Sequence, residues 1–205
     1  MTKIEIKNLK KVIKGSTVLD DISLSFRPGH IYGFVGKNGS GKTMLFRAIA
    51  GLIRPTSGSI SITPTNPNIG LIIENVGLYP EFTGFKNLKL LAQINNRIND
   101  DEIKAAITRV GLNPEDKRIV KKYSLGMKQR IALAQAFMEK PDIILLDEPM
   151  NAIDADGVDL IRSIIREEAE RGAIVIIASH NQTDIELLCD IQYKLFVGKL
   201  EGETS

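Results

Sequence analysis

Cysteine is nearly absent from this chain. One thiol, Cys189, among 205 residues excludes an internal disulfide framework and suits a reducing cytosol. Charge of one sign is equally scarce: 27 Lys and Arg against 25 Asp and Glu leave a formal charge of +2, with no long basic block. The electrostatic footprint of a nucleic-acid binder is therefore missing, and no nucleic-acid partner is expected. Long hydrophobic runs are missing too. The longest, near Ile143–Leu146 and Ala173–Ala178, fall far short of the roughly 20 apolar residues that cross a bilayer. The opening Met1-Thr2-Lys3-Ile4-Glu5-Ile6 carries no apolar core of a signal peptide. If the protein works at a membrane, another chain must supply the spans. Internal repeats, coiled-coil heptads and low-complexity stretches are also not seen. What is present is the composition of an ordinary globular protein, 43% apolar and 25% charged, long enough to bury a substantial core.

Ile4, Ile6 and Leu9 open a strand-like segment, and Val18, Ile22, Leu24 and Phe26 alternate with polar residues as a second. Pro28-Gly29 turns the chain into a third strand, His30–Val35, read here as part of the N-terminal sheet. A glycine-rich loop follows and runs into a helix carrying Met44, Leu45, Ile49 and Leu52. Short strands are expected at Ser59–Ile62 and Ile69–Ile73. From about Asn75 to Lys122 the spacing reads as helical, with clear helices in Phe85–Ile94 and Ile103–Val110, the second capped by Asn99-Asp100-Asp101-Glu102. Another helix starts near Ser124 and is ended by Pro141. Strands at 143–147, 173–178 and 191–197 then alternate with helices at about 155–171 and 181–189, which is an α/β pattern.

The loop Gly36-Lys37-Asn38-Gly39-Ser40-Gly41-Lys42-Thr43 has the form of a phosphate-binding loop. Gly36, Gly39 and Gly41 let the backbone wrap closely, and its N–H groups aim at phosphate oxygens. Lys42 places an ammonium between the terminal phosphates, and the Thr43 hydroxyl ligates Mg2+. A chance match in a flexible loop is the bland alternative; the strand-to-helix setting argues against it. Ile143–Leu146 read as a strand buried on both faces, so Asp147 at its end can reach the metal, and Glu148 beside it is the natural base for an attacking water. An Asp-Glu pair at a strand end is common by itself, but not after such a loop. Ser124 and Gly126 stand at a helix start, where orphan N–H groups favour an anion, or where Ser124 is simply a cap. Asp154 precedes the 155–171 helix and can cap it. His180 ends a strand as Asp147 does, at the edge where such sheets bind ligands; His30 has only a structural reading.

The fixed order of the glycine loop, Glu74, Ser124-Leu125-Gly126-Met127-Lys128-Gln129, Ile143–Pro149, Asn151-Ala152-Ile153-Asp154 and His180 resembles the nucleotide-binding subunit of an ABC transporter over nearly the whole chain. The resemblance implies a P-loop NTPase core of ABC ATPase type with an N-terminal antiparallel β subdomain and an inserted helical subdomain. One ATPase domain, 1–205, is then expected, with 1–74 and 141–205 as core and 75–140 as helical insertion. It implies ATP and Mg2+ as ligands. Gly36, Asn38, Gly39, Ser40, Gly41, Lys42 and Thr43 would hold the phosphates, with Ile13 and Val18 near the base. Thr43, Asp147 and Glu74 would lie at the metal, and Glu148 and His180 at the reacting water. Ser124, Gly126 and Asp154 would face a nucleotide on a second subunit, in an ATP-dependent homodimer or a heterodimer with a related ATPase.

The partner is then an integral membrane permease, and the location is cytoplasmic, on the inner face of the cell membrane. Leu78–Thr83, with Tyr79 and Phe82, corresponds to the segment facing that partner; these rings serve equally as core of the helical part. Four positions depart from the family pattern. Leu125 and Met127 flank one retained glycine in the signature run, Glu74 stands where glutamine is usual, and Ile13 replaces the aromatic ring that stacks on adenine. Glu74 together with Tyr123–Arg130 is similar to the bacitracin and lantibiotic type of peptide export and immunity ATPases. The tail Glu201–Ser205 leaves no room for the regulatory domain of many importers, which favours export. A soluble assembly or regulatory ABC-type ATPase is the alternative. A small-molecule kinase ranks last, because it leaves the signature run, Asp154 and His180 without a task.

Overall fold

A computed structural model describes residues 2–73 and 77–204. Two sheets organise it. Strands β1 (Lys3–Ile13), β2 (Ser16–Phe26) and β4 (Ser57–Thr63) form an antiparallel sheet in the order β2-β1-β4. The second sheet has the order β5-β6-β7-β3-β8-β9 and comprises β3 (Ile31–Val35), β5 (Ile69–Ile72), β6 (Ile143–Asp147), β7 (Ile174–Ser179), β8 (Ile191–Phe196) and β9 (Lys199–Thr204). Five of these strands run parallel and β9 closes the edge antiparallel to β8.

The apolar runs predicted as buried strands occupy the middle of this sheet, and their alternation divides them between two cores. Ile143, Leu145, Ile174, Ile176 and Ala178 face a core shared with the antiparallel sheet and with α1 (Lys42–Ile49), where Phe26, Phe34, Phe46 and Leu45 pack. Ile144, Leu146, Val175 and Ile177 face the opposite core. That side is covered by α2 (Gly84–Asn95), α3 (Asp100–Arg109), α4 (Leu125–Phe137), α5 (Ala155–Glu170) and α6 (Gln182–Leu188). The helix faces follow their caps: Asn99 makes a reciprocal capping box with Glu102, and Ser124, Asp154 and Asn181 each accept a backbone N–H of the first turn.

Three expectations need correction, and one strand carried no signal in the sequence. His30 precedes a strand of the parallel sheet, not of the N-terminal one: β3 pairs with β7 and β8. Its neighbours are set by topology, which local alternation does not encode. The stretch between β5 and α4 is less helical than expected, since 77–83 is a loop and 111–119 lacks regular structure before a single 3-10 turn at Val120–Lys122. Buried Asn87 organises the first of these: its side chain accepts from Tyr79 N (2.7 Å) and donates to Tyr79 O (3.1 Å) and Thr83 O (3.0 Å). Helix α4 stops at Phe137, before Pro141 is reached. Finally, 199–204 is a strand, β9; it is polar and sits at the sheet edge, so alternation gave no signal.

Candidate functional site

Parallel register brings the chemistry together. Asp147 is level with Ala178 across β6 and β7, and Val35 is level with Ser179 across β3 and β7. The glycine loop after β3, the Asp147-Glu148 pair after β6 and the Ser179-His180 pair after β7 therefore leave the sheet at one edge, the C-terminal edge where parallel sheets bind ligands.

The loop turns into α1 through Gly41, whose φ of 111° and close approach to the Val18 carbonyl leave no room for a side chain: a Cβ there would lie 2.8 Å from Val18 O. Ser40 N donates to Lys37 O at 3.1 Å, and Gly198 in the β8–β9 turn donates to Ser40 O at 2.8 Å. The loop is thus braced from beneath by β2 and by the terminal hairpin. Lys42 is buried, and its Nζ donates to Gly36 O at 2.5 Å. Burial pushes the Lys42 ammonium below the ordinary lysine value, an effect that the Glu148 and Asp147 carboxylates oppose.

Thr43 Oγ1 donates to Asp147 Oδ2 at 2.6 Å, so two hard oxygen ligands from α1 and β6 converge. Glu148, one residue on, has a positive φ of 51° and turns its carboxylate toward β7. Its Oε1 accepts from His180 N at 2.8 Å and lies 2.8 Å from His180 Nδ1; its Oε2 accepts from Ser179 Oγ at 3.2 Å. Lys42, Thr43, Asp147 and Glu148 line one cleft of about 580 Å³ together with Asn38, Gly39, Leu125 and Gln129. A second hollow of about 630 Å³ lies on the other side of the loop, between Gly36–Asn38, His180 and the β8–β9 hairpin.

The donor set suits Mg2+ and phosphate. Among the described residues no three His, Cys, Asp or Glu side chains cluster, so protein ligands at Thr43 and Asp147 would need phosphate and water oxygens beside them, which is the habit of Mg2+. Ser40 Oγ is buried in the loop without a hydrogen-bond partner, an orphan donor suited to an anion. Both groups fit.

Ser124, Gly126 and Asp154 assemble elsewhere. They line a separate hollow of about 300 Å³ with Met127, Arg130 and Ala152. Ser124 Oγ accepts from Met127 N at 3.1 Å, so Ser124 caps α4. Gly126 is pressed on the Ala152 carbonyl, which would lie 2.6 Å from a Cβ at that position. Asp154 Oδ1 accepts from Gly157 N at 3.1 Å and from Arg130 Nη2 at 2.5 Å. Leu125 is 71% exposed. Val18 touches the loop through its carbonyl, whereas Ile13 pairs with Ser16 at the tip of the first hairpin, half exposed. Glu74 lies outside the described residues. Tyr79 is exposed and is therefore not core; its ring lies 5.7 Å from that of half-buried Phe82, over which Lys86 Nζ sits at 3.9 Å.

Sequence reasoning missed Ser179, and named Gln129 and Arg130 only as members of the signature run, with no contact assigned to either. Ser179 is found by adjacency to His180. The two α4 residues reach partners about twenty positions away, which no local pattern signals.

A parallel-sheet P-loop core, an acidic sheet edge and a separate capped helix start are the arrangement of an ABC-type ATPase. A family model described as ABC transporter matches residues 19–151. The chain is 51% identical to the uncharacterized ABC transporter ATP-binding protein YybJ of Bacillus subtilis (strain 168), covering 97% of this chain and 94% of that one. It is 35% identical to the bacitracin transport ATP-binding protein BcrA of Enterococcus faecalis, over 98% of this chain and 69% of the relative. Its fold matches the dimeric structure of MJ0796, a bacterial ABC transporter cassette, with a TM-score of 0.90 at 23% identity, covering 98% of both chains. The chain belongs to the ABC transporter family as one of its ATP-binding subunits.

Proposed function

We propose that the cleft formed by Lys42, Thr43, Asp147 and Glu148 binds Mg-ATP and hydrolyses it. The convergence of side chains from the ends of β3, β6 and β7 carries this reading. Gly36, Asn38, Gly39 and Gly41 present backbone N–H groups to the phosphates, Ser40 offers its buried Oγ, and Lys42 adds a desolvated positive charge, worth more there than in water. Mg2+ held by Thr43 and Asp147 would neutralise charge on the β and γ oxygens. Glu148 takes a proton from the attacking water as the new oxygen–phosphorus bond forms and the γ-phosphoryl bond to ADP breaks. His180 holds the Glu148 carboxylate with its backbone N–H and with Nδ1, which leaves Nε2 as the ring nitrogen to meet the reacting oxygens.

Ser124, Gly126 and Asp154 line a hollow of their own beside that cleft, so we assign them to the nucleotide of a second subunit. The dimeric cassette of the same fold supports this reading. Hydrolysis then resets a closure that ATP binding drives. The membrane partner is a permease in another chain, since no helix among the described residues is long and apolar enough to cross a bilayer. Exposed Tyr79 beside Phe82 offers it an aromatic docking point. Similarity to a bacitracin transport subunit supports export of a peptide antibiotic or a similar molecule.

Glu148→Gln tests the catalytic assignment. It should lower kcat by at least about 100-fold while ATP binding persists. Wild-type turnover in that variant would remove Glu148 from the role. Affinity purification from detergent-solubilised membranes tests the partner: a polytopic membrane protein in stoichiometric amount supports transport, and recovery with soluble proteins alone opposes it.

A further inference from the structure

Gln129 lies in the first half of α4, five residues beyond Ser124. Its Nε2 donates to Glu148 O at 3.3 Å and to Pro149 O at 3.1 Å. Both carbonyls belong to the turn that leaves β6. Glu148 holds a left-handed φ of 51° there. For a residue with a Cβ that conformation is strained and persists only when its surroundings fix it. Three sets of hydrogen bonds do so. Glu148 N donates to Ala178 O at 2.8 Å, Asn151 N donates to Glu148 O at 3.3 Å, and Gln129 supplies a side chain that grips two successive carbonyls. The turn aims the carboxylate at Ser179 Oγ and at His180 N and Nδ1. Relaxation of φ to the right-handed region would swing the Cα–Cβ bond and carry the carboxylate away from those donors.

We propose that Gln129 is a positioning residue for Glu148, holding the left-handed turn so that the carboxylate stays aimed at the reacting water. The proposal rests on the reading of Glu148 as the general base. It has a consequence for coupling. Gln129 shares α4 with Ser124 and Gly126, so a displacement of that helix start reaches the Glu148 carbonyl through one side chain. The face assigned to a second subunit's nucleotide is in this way linked to the base of the chain's own site.

The test uses the full chain with two substitutions. Gln129→Leu keeps the shape and removes the donor; Gln129→Lys keeps a donor of similar reach. We expect Leu to lower kcat about 10- to 100-fold, as misplacement of a base does, with KM for Mg-ATP within about 2-fold. Hydrogen exchange at the Glu148 and Asn151 amides should quicken at least about 10-fold, with the melting temperature little changed. Lys should keep kcat within about 5-fold of wild type. In a Glu148→Gln background, Leu should change residual turnover by less than about 2-fold, because the carboxylate it positions is gone. Wild-type kcat and unchanged exchange in Gln129→Leu would overturn the proposal. So would a joint fall in kcat and melting temperature that Lys does not rescue, since that is a structural role. If Glu148→Gln itself turns over normally, the assignment of the base fails, and the exchange measurement still decides whether Gln129 holds the turn.

Discussion

At the scale of single residues, burial and close approach set the chemistry. The lone thiol shows it most simply. Cys189 Sγ packs against β3 at Gly33, where an added Cβ would come within 2.7 Å of the sulfur. Burial, with the Asp190 carboxylate adding to it, pushes the thiol up to about 12 from 9.0. Native protein should therefore resist iodoacetamide at pH 8 and become labelled on unfolding; rapid native alkylation would contradict this. The sign for stability follows. The unfolded thiol ionises first, so this group costs the fold stability progressively from about pH 9 toward pH 12, and a Cys189→Ala variant should lose that alkaline sensitivity. In the proposed site Ile13 would lie beside the base and would supply no ring to stack on it. Ile13→Tyr should tighten ATP by about 3- to 10-fold through stacking worth about 1 kcal/mol. Equal ATP and GTP affinities in both proteins, unchanged from wild type, would place the base elsewhere.

At the scale of elements, two ion-pair ties hold helices in register. Arg130 of α4 is nearly buried and grips Asp154, the cap of α5. Asp154→Ala removes a cap of about 1 kcal/mol and a pair worth at most about that much. Urea denaturation should show a loss of about 1–2 kcal/mol, and a double-mutant cycle with Arg130→Ala a coupling near 0.5 kcal/mol. An additive cycle would mean that the pair holds nothing. Deeper in the molecule, Glu168 of α5 is 3% exposed and is shared by Arg109 of α3 (2.5 Å) and Arg171 (2.6 Å). Arg109→Leu leaves that carboxylate with one partner, and about 1–3 kcal/mol of stability should be lost. Neither tie was legible in the sequence. Glu168 reads as one more acid on a charged helix, and its burial is created by an arginine fifty-nine positions away. The caps, by contrast, were legible, because Asn99, Ser124 and Asp154 act on the backbone within three residues.

At the scale of the molecule, what was legible is what alternation and spacing encode. Ile143–Leu146 and Ala173–Ala178 announce strands covered on both faces, and both lie at the centre of the parallel sheet. The glycine loop stands between strand and helix as its chemistry requires. The sheet order β5-β6-β7-β3-β8-β9 was not legible, because it depends on crossovers between distant segments; that is why His30 was assigned to the wrong sheet. Nor was the edge strand β9, whose charged residues are held by pairing with β8. Glu148 with His180 and Ser124 with Asp154 were named from sequence as two proposed faces, while the Gln129 bonds that join α4 to the Glu148 turn and the Arg130 tie within the second face were not.

Sedimentation of the Glu148→Gln variant measures most directly whether those two faces meet across a pair of subunits. With Mg-ATP the variant should sediment as a dimer, and with Mg-ADP as a monomer. A monomer under every condition, with ATP demonstrably bound, would contradict the sandwich and leave the Ser124 face without a nucleotide to hold.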